Sequence, residues 1–173
     1  MSARPRHVFL DIGDFYFGGG HTRVRTVLGS CVAITVWHPQ LRVGGICHYL
    51  LPMPTESIAK RGATTMYAEG AIEQFLQEIR RRGAQPGDFV AKMFGGGSMF
   101  GSAPIRQQQQ RLFPISASID VSGMNVEVGR KLLRECGFAI AAENVGGFGS
   151  REIVFELWSG DVWVRRGPEL RCA

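Results

Sequence analysis

The sequence predicts an α+β protein: a layered, mixed or antiparallel β-sheet sandwich with two main helices packed on one face. Its hydrophobic pattern contains about seven strand-like runs but only two amphipathic helices, too few to cover both faces of a parallel sheet. Two pairs of runs are joined by short turn sequences typical of β-hairpins. The 173 residues are 45% hydrophobic and 20% charged, which suits one soluble globular domain with a single core.

Four strands are predicted in the first third of the chain. Each is an apolar or alternating run bounded by glycine, proline or polar turn residues. The last two runs are separated only by His38, Pro39 and Gln40 and therefore predict a hairpin. The four runs cover residues 7–17, 22–28, 32–37 and 41–51.

Two helices are predicted in the rest of the chain. Residues 66–82 place their apolar side chains on one stripe at helical spacing. Residues 122–136 show a similar face, with Ser122 as a plausible N-cap and Gly137 as the stop. Further strands are predicted over residues 88–94, 138–143, 152–158 and 161–165, the last two as a closing hairpin.

The chain is predicted to be a single domain over residues 1–173. Its core covers about 8–166, and residues 167–173 are predicted to be a frayed tail. Residues 101–118 contain four consecutive glutamines and two prolines and predict a long loop.

Composition limits the classes of function. The net charge of +5 favours an acidic partner or a solvated basic surface, whereas the scattered basic residues disfavour nucleic acid. No run approaches the roughly 20 apolar residues of a membrane span, and no signal peptide is visible, so we expect a cytoplasmic protein without membrane insertion. The cysteines are irregularly spaced and favour reduced thiols over disulfides or a metal site: Cys31, Cys47, Cys136 and Cys172.

The candidate site lies at the first hairpin. If Pro39 and Gln40 form the turn, Cys31 lies opposite His48, or one residue from opposite, with Cβ atoms about 5 Å apart. A thiol beside an imidazole is the arrangement that activates a cysteine nucleophile. The residues alone leave a plainer interpretation open, because a lone strand cysteine is usually core and a lone histidine usually makes one structural hydrogen bond.

The run LGSCVAITVWHPQLRVGGICHYLLP, residues 28–52, resembles the signature of the CheD family, the chemoreceptor glutamine deamidases of bacterial chemotaxis. Its most specific element is a Gly-Ser-Cys turn with a histidine 17 residues after the cysteine. The resemblance extends over about residues 8–166. Its other landmarks are Tyr67, Ala71-Ile72, Ala91-Lys92, Phe94-Gly95-Gly96, Asn125-Val126, Val145-Gly146-Gly147 and Arg151.

The resemblance implies a cysteine hydrolase that converts specific glutamine side chains of chemoreceptors into glutamates through a thioester. Cys31 is then the nucleophile and His48 its base, and backbone N–H groups at the Gly29-Ser30 turn can hold the oxyanion. We expect no cofactor and no metal. The implied partners are the cytoplasmic helices of methyl-accepting chemoreceptors and a CheC-type phosphatase.

The family's third catalytic residue is a threonine upstream of the cysteine. In the family pattern it lies six residues before the cysteine, where this chain has Arg25, whereas Thr26 lies five before. In a strand that difference exchanges the two faces. A local bulge could restore the position, Thr26 could orient His48 differently, or the third role could be weak here. We predict that Thr26 supports His48.

Two other functions remain open at this stage. The chain could be a non-catalytic adaptor that binds receptors or a CheC-type phosphatase, which a thiol-reactivity assay would distinguish. It could also be a cysteine hydrolase for a small amide or ester. An open pocket around the cysteine would favour a protein glutamine, and a deep closed pocket would favour a small molecule.

Overall fold

A computed structural model describes residues 4–52, 64–99 and 120–167 of the chain. These residues form three layers, made of two helices, a five-stranded sheet and a four-stranded sheet. The helices are α1 (Ala68–Arg81) and α2 (Val121–Glu135). The strands are β1 (Arg6–Phe9), β2 (Phe15–Gly19), β3 (Thr22–Leu28), β4 (Val32–His38), β5 (Val43–Tyr49), β6 (Val90–Gly95), β7 (Ala139–Val145), β8 (Arg151–Glu156) and β9 (Asp161–Arg166).

Both sheets are mixed. The five-stranded sheet has the order β2-β5-β4-β6-β7, and the four-stranded sheet has the order β1-β3-β8-β9. The pairs β6–β7 and β1–β3 are parallel, and the other neighbours are antiparallel. Both helices pack on the same face of the five-stranded sheet. The predicted α+β class, with layered mixed sheets and two helices on one face, is therefore confirmed.

Strand β4 lies at the centre of the middle layer and is buried on both faces. Its even-numbered residues, such as Val32 and Ile34, belong to the apolar cluster beneath the helices. Ala33, between them, belongs to the second cluster, between the two sheets. Burial on both sides explains why this strand is an almost continuous apolar run.

The N-terminal strand prediction is partly wrong. Residues 7–17 form two strands in different sheets, β1 and β2, so the eight predicted strand ranges become nine strands in the described residues. A turn separates the two strands, and within it Gly13 has a φ of 86° and donates its N–H to the carbonyl of His48. Left-handed backbone of this kind interrupts a strand and favours glycine.

The predicted helices and the closing hairpin are confirmed, with small changes at the ends. Helix α2 is capped by Asp120, whose side chain accepts a hydrogen bond from Gly123 N, and not by Ser122. The predicted loop over 101–118 and the tail after residue 167 lie outside the described residues. None of the helices within the described ranges is long and apolar enough to cross a membrane.

The first hairpin forms, but its predicted register is wrong by two residues. His38 pairs with Val43, so the loop contains four residues, 39–42, and Ala33 instead of Cys31 lies opposite His48. Two-residue hairpin turns need a positive φ at their first position, which proline cannot adopt. The longer loop places its positive φ at Arg42 instead. A slip of two residues keeps every side chain on its predicted face.

Candidate active site

The chain crosses from the four-stranded to the five-stranded sheet through a turn at residues 29–31. The loop after β6 holds this turn on its carbonyl side. Gly97 N donates to Gly29 O at 2.8 Å, and Gly96 N donates to Cys31 O at 2.7 Å. Gly95 approaches so closely that a Cβ atom there would lie 2.2 Å from Cys31 O, and its φ is 107°. The glycine-rich loop therefore shapes the backbone at the cysteine.

Asn125, on α2, also holds this turn by hydrogen bonds. It is fully buried, and its Nδ2 donates to Ser30 O at 3.1 Å and to Leu50 O at 2.8 Å. The first bond holds the peptide that precedes Cys31, and the second holds the end of the strand that carries His48. One amide therefore ties together the two backbone segments of the candidate site.

Cys31 lies on the face of the five-stranded sheet that packs on the four-stranded sheet. It is 5% exposed and belongs to the apolar cluster between the sheets, with Leu28 and Ile153 among its members. Burial raises the pKa of the Cys31 thiol, and the residue's own backbone N–H partly opposes that rise. The thiol is therefore protonated at neutral pH and needs a base to become a nucleophile.

His48 lies on the same inter-sheet face and is 2% exposed. It is opposite Ala33, two residues beyond Cys31, which makes Cys31 and His48 diagonal neighbours across the strand pair. Burial lowers the pKa of His48 from its ordinary 6.5 to about 4, although the charges of Asp14 and Asp11 act in the opposite direction. The imidazole is therefore neutral at pH 7 and able to accept a proton.

Thr26 approaches His48 from the other sheet. Its Oγ1 lies 2.8 Å from Nδ1 of His48 and donates its hydrogen to the carbonyl oxygen of Leu10, also at 2.8 Å. A hydroxyl has one hydrogen to donate, and here it is donated to Leu10 O, so toward His48 the Thr26 oxygen is the acceptor and Nδ1 carries the hydrogen. This arrangement selects the tautomer in which Nε2 carries the lone pair. Nε2 is buried and has no hydrogen-bond partner among the described residues.

Residues 25 and 26 face opposite sides of β3. Arg25 points outward and forms an ion pair with Glu152, whereas Thr26 is fully buried beneath His48. The hydroxyl five residues before the cysteine is therefore the one that reaches the histidine. The hydrogen bond from Thr26 to Leu10 and the charges of Asp11 and Asp14 near His48 were not expected from the sequence. The predicted unbroken strand over residues 7–17 contained no turn that would place these residues beside the site.

The other cysteines lie elsewhere. Cys47 is fully buried on the opposite face, as its adjacency to His48 in a strand predicts, and Cys136 is half-buried at the end of α2. Cys172 lies outside the described residues. No group of three or more His, Cys, Asp or Glu side chains that could hold a metal ion occurs within residues 4–52, 64–99 and 120–167.

The fold and the site define a class of protein: a layered α+β domain in which a buried cysteine, histidine and threonine converge between two sheets. The chain belongs to the CheD family, whose model, described as CheD chemotactic sensory transduction, matches residues 50–166. That match begins after His48, so membership does not by itself assign roles to the three side chains.

Full-length relatives extend the similarity over nearly the whole chain. It is 41% identical to "Probable chemoreceptor glutamine deamidase CheD 3" of Dechloromonas aromatica, covering 95% of this chain and 91% of the relative. It is 39% identical to "Probable chemoreceptor glutamine deamidase CheD 1" of Chromobacterium violaceum, covering 94% and 78%. Among solved structures, hypothetical protein YfiH of Bacillus licheniformis matches with a TM-score of 0.46 and 15% identity over 83% of this chain and 60% of that one.

Proposed function

We propose that this protein is a cysteine-dependent glutamine deamidase that converts specific glutamine side chains of chemoreceptors into glutamates. The observation that carries the proposal is the hydrogen bond between Thr26 and His48, which leaves Nε2 of the histidine free to act as a base on the face that also carries Cys31. The family relatives named above, chemoreceptor glutamine deamidases, supply the substrate class.

In the first half of the reaction, His48 Nε2 takes the proton of the Cys31 thiol while the sulfur attacks the carboxamide carbon of the glutamine. The carbonyl oxygen becomes an oxyanion held by backbone N–H groups of the turn. The tetrahedral intermediate then collapses, the C–N bond breaks, and the imidazolium gives its proton to the leaving ammonia. A thioester between Cys31 and the former glutamine remains.

In the second half, His48 takes a proton from a water molecule, whose oxygen attacks the thioester carbon. The C–S bond breaks and the thiol is restored, so that glutamine plus water has become glutamate plus ammonia. Thr26 acts throughout as an acceptor for Nδ1–H, which keeps the imidazole in one tautomer and one orientation. Burial favours the neutral form of both groups, so the resting pair in this mechanism is a thiol and a neutral imidazole.

The substrate partners in this proposal are the cytoplasmic helices of methyl-accepting chemoreceptors, which places the protein in the cytoplasm beside receptor arrays. Its net charge of +5 favours association with acidic surfaces. We also propose a CheC-type phosphatase as a regulatory partner, on the family resemblance alone. No nucleic acid and no membrane insertion enters the mechanism.

Intact-mass analysis of receptor cytoplasmic fragments incubated with the protein tests the function. Each deamidation exchanges NH₂ for OH and adds about 1 Da. We expect increments at defined glutamines with wild-type protein and none with Cys31→Ala. Binding of the fragment without any mass increment would contradict the proposal and support a non-catalytic adaptor. Hydrolysis of free glutamine or small amides, but not of the fragment, would indicate a small-molecule hydrolase.

A further inference from the structure

We propose that Asn125 is a positioning residue for the oxyanion site: its side-chain amide holds the Ser30–Cys31 peptide so that the N–H of Cys31 faces the reacting carbonyl oxygen. This inference rests on the proposed function, because it concerns the same thioester chemistry. It adds a residue more than ninety positions away in the sequence to the machinery around the nucleophile.

Three successive carbonyl groups at the turn are each held by a hydrogen bond. Those of Gly29 and Cys31 accept from the backbone of the glycine-rich loop, and that of Ser30 accepts from Asn125 Nδ2. The middle peptide, between Ser30 and Cys31, carries the N–H of Cys31. Its carbonyl accepts from a side chain, whereas the other two carbonyls accept from the backbone. A substitution can remove that bond while leaving both loop contacts in place.

In the Ser30–Cys31 peptide, the direction of the Ser30 carbonyl determines the direction of the Cys31 N–H. No cis peptide bond occurs in the described residues, and in a trans peptide the C=O and N–H bonds point in opposite directions. The Ser30 carbonyl points toward Asn125 in the helix layer, so the N–H of Cys31 points toward the four-stranded sheet. The side chain of Cys31 packs on that same side. Donor and nucleophile therefore share one face.

The hydrogen bonds also fix the orientation of the amide. Both contacts of the Asn125 side chain are to carbonyl oxygens, so the group that meets them must be the NH₂. The Oδ1 atom is left buried without a hydrogen-bond partner among the described residues. An unsatisfied buried acceptor is destabilising and offsets part of what the two donated hydrogen bonds contribute.

The backbone of α2 is anchored at this point by a separate contact, which supplies a matched control. Tyr49 donates its hydroxyl hydrogen to the main-chain oxygen of Asn125 at 2.6 Å. A Cβ atom on Gly129 would lie 2.2 Å from the Tyr49 oxygen, so the helix packs closely on the strand there. Tyr49→Phe removes a buried hydrogen bond to the same residue without touching the side-chain amide.

The experiment compares two reactions of Cys31 in Asn125→Ala, Asn125→Asp, Tyr49→Phe and wild-type protein. Deamidation of a receptor fragment develops an oxyanion. Thiomethylation by methyl methanethiosulfonate does not, because the thiolate attacks sulfur and expels methanesulfinate. Mass mapping at Cys31 reports the second rate. We expect kcat for deamidation to fall about 10²–10³-fold in Asn125→Ala, as for loss of an oxyanion donor, with KM and the thiomethylation rate changed less than about threefold.

Asn125→Asp preserves the shape of the side chain but keeps at most one donor, when protonated, so we expect at least about a tenfold loss of kcat, again without loss of thiomethylation. Tyr49→Phe should retain kcat within about threefold. Equal losses in the two reactions would overturn the inference, because they would show that Asn125 merely keeps the sulfur in place. An unchanged kcat would overturn it as well. Activity in Cys31→Ala would instead reject the proposed function.

If neither Asn125 variant folds, an experiment on the wild-type protein tests the inference. A receptor peptide with an aldehyde in place of the glutamine carboxamide adds to the thiol, with the sulfur bonding to carbon and the proton passing to oxygen. The structure of this adduct should place that oxygen within about 3.1 Å of Cys31 N. An adduct oxygen turned away from this N–H would overturn the inference.

Discussion

The two faces of the five-stranded sheet each carry a buried cysteine, and their surroundings differ. Cys47 faces the helices, is fully enclosed by apolar side chains, and burial raises its pKa to about 12. Cys31 faces the other sheet, where the buried polar side chains of Thr26 and His48 lie against an apolar cluster. Both thiols are protonated, and the inter-sheet face brings the unprotonated imidazole of His48 near Cys31.

This difference teaches that burial alone does not make a cysteine inert or reactive. The helix face is built for packing, and Cys47 lies there within the apolar cluster beneath the helices. The inter-sheet face contains a hydrogen-bonded chain from Leu10 through Thr26 to His48. Buried polar groups are retained only when they are satisfied or functional, and Nε2 of His48 lacks a partner within the described part of the chain.

The strongest way to break the comparison is to remove each cysteine in turn. Cys31→Ala should abolish deamidation while the fold remains intact, and Cys31→Ser should be nearly as inactive because a hydroxyl is a much poorer nucleophile. Cys47→Ala should keep activity within about threefold but lower the free energy of unfolding by about 1–2 kcal/mol through loss of packing. Receptor-fragment mass analysis and urea denaturation measure the two effects. More than a tenth of wild-type activity in Cys31→Ala would contradict the assignment.

The next largest effect is expected at the base. His48→Ala should lower kcat by about 10²–10⁴-fold, since general-base catalysis supplies rate enhancements of that size. The control is His38→Ala at the other end of the hairpin, where a second buried histidine accepts from Leu41 N and lies far along the strands from the cysteine. Steady-state kinetics on the receptor fragment compare them. Similar losses in both variants would mean that the hairpin fold, not the base, is being disturbed.

A smaller effect is expected at the hydroxyl that supports the base. Thr26→Ala should lower kcat about 10- to 100-fold, on the order of 1.4–2.7 kcal/mol, with affinity for the receptor little changed. A hydroxyl stabilises the imidazolium less than a carboxylate would, so its loss should cost less than loss of His48 itself. Thr35→Ala is the matched control, because Thr35 is equally buried but pairs with Ile46 in the middle of the hairpin. If the two variants have the same kcat, Thr26 is a packing residue only.

The smallest expected effect is on the pH dependence of stability. Because the folded pKa of His48, about 4, lies below its ordinary 6.5, the unfolded chain takes up the proton first as pH falls. The contribution of His48 to the free energy of unfolding is complete above about pH 6.5 and is lost progressively toward pH 4. Between pH 7 and pH 5.5 the free energy of unfolding should fall by on the order of 1 kcal/mol from this group. His48→Gln should lack that component in urea melts, and identical pH slopes would argue against a buried neutral imidazole.

The elements were predictable where local pattern decides them. Helix α1 has one apolar stripe and β4 is an apolar run between two turn signals, so periodicity was enough. The opening strand was wrong because alternation over residues 7–17 does not show that the chain turns at Gly13 and changes sheets. The hairpin register was wrong because a proline excluded the tightest loop, a consequence of backbone geometry that the apolar pattern does not contain.

For the candidate site, the sequence by itself determined that Cys31 and His48 share one face of a hairpin, because strand alternation survives a register slip of two residues. It also contained the resemblance to the CheD family, which implied glutamine deamidation through a thioester. Only the tertiary structure decided that Thr26 contacts His48, that the Leu10 carbonyl accepts the hydrogen bond of the Thr26 hydroxyl, and that Asn125 donates to the carbonyl of the peptide before Cys31. The Thr26–His48 and Asn125–Ser30 contacts join separate layers of the fold, and the Thr26–Leu10 contact joins neighbouring segments of one sheet that are 16 residues apart in the chain. Their geometry depends on how two sheets and a helix pack, and the periodicity of a single strand or helix records nothing about its distant neighbours.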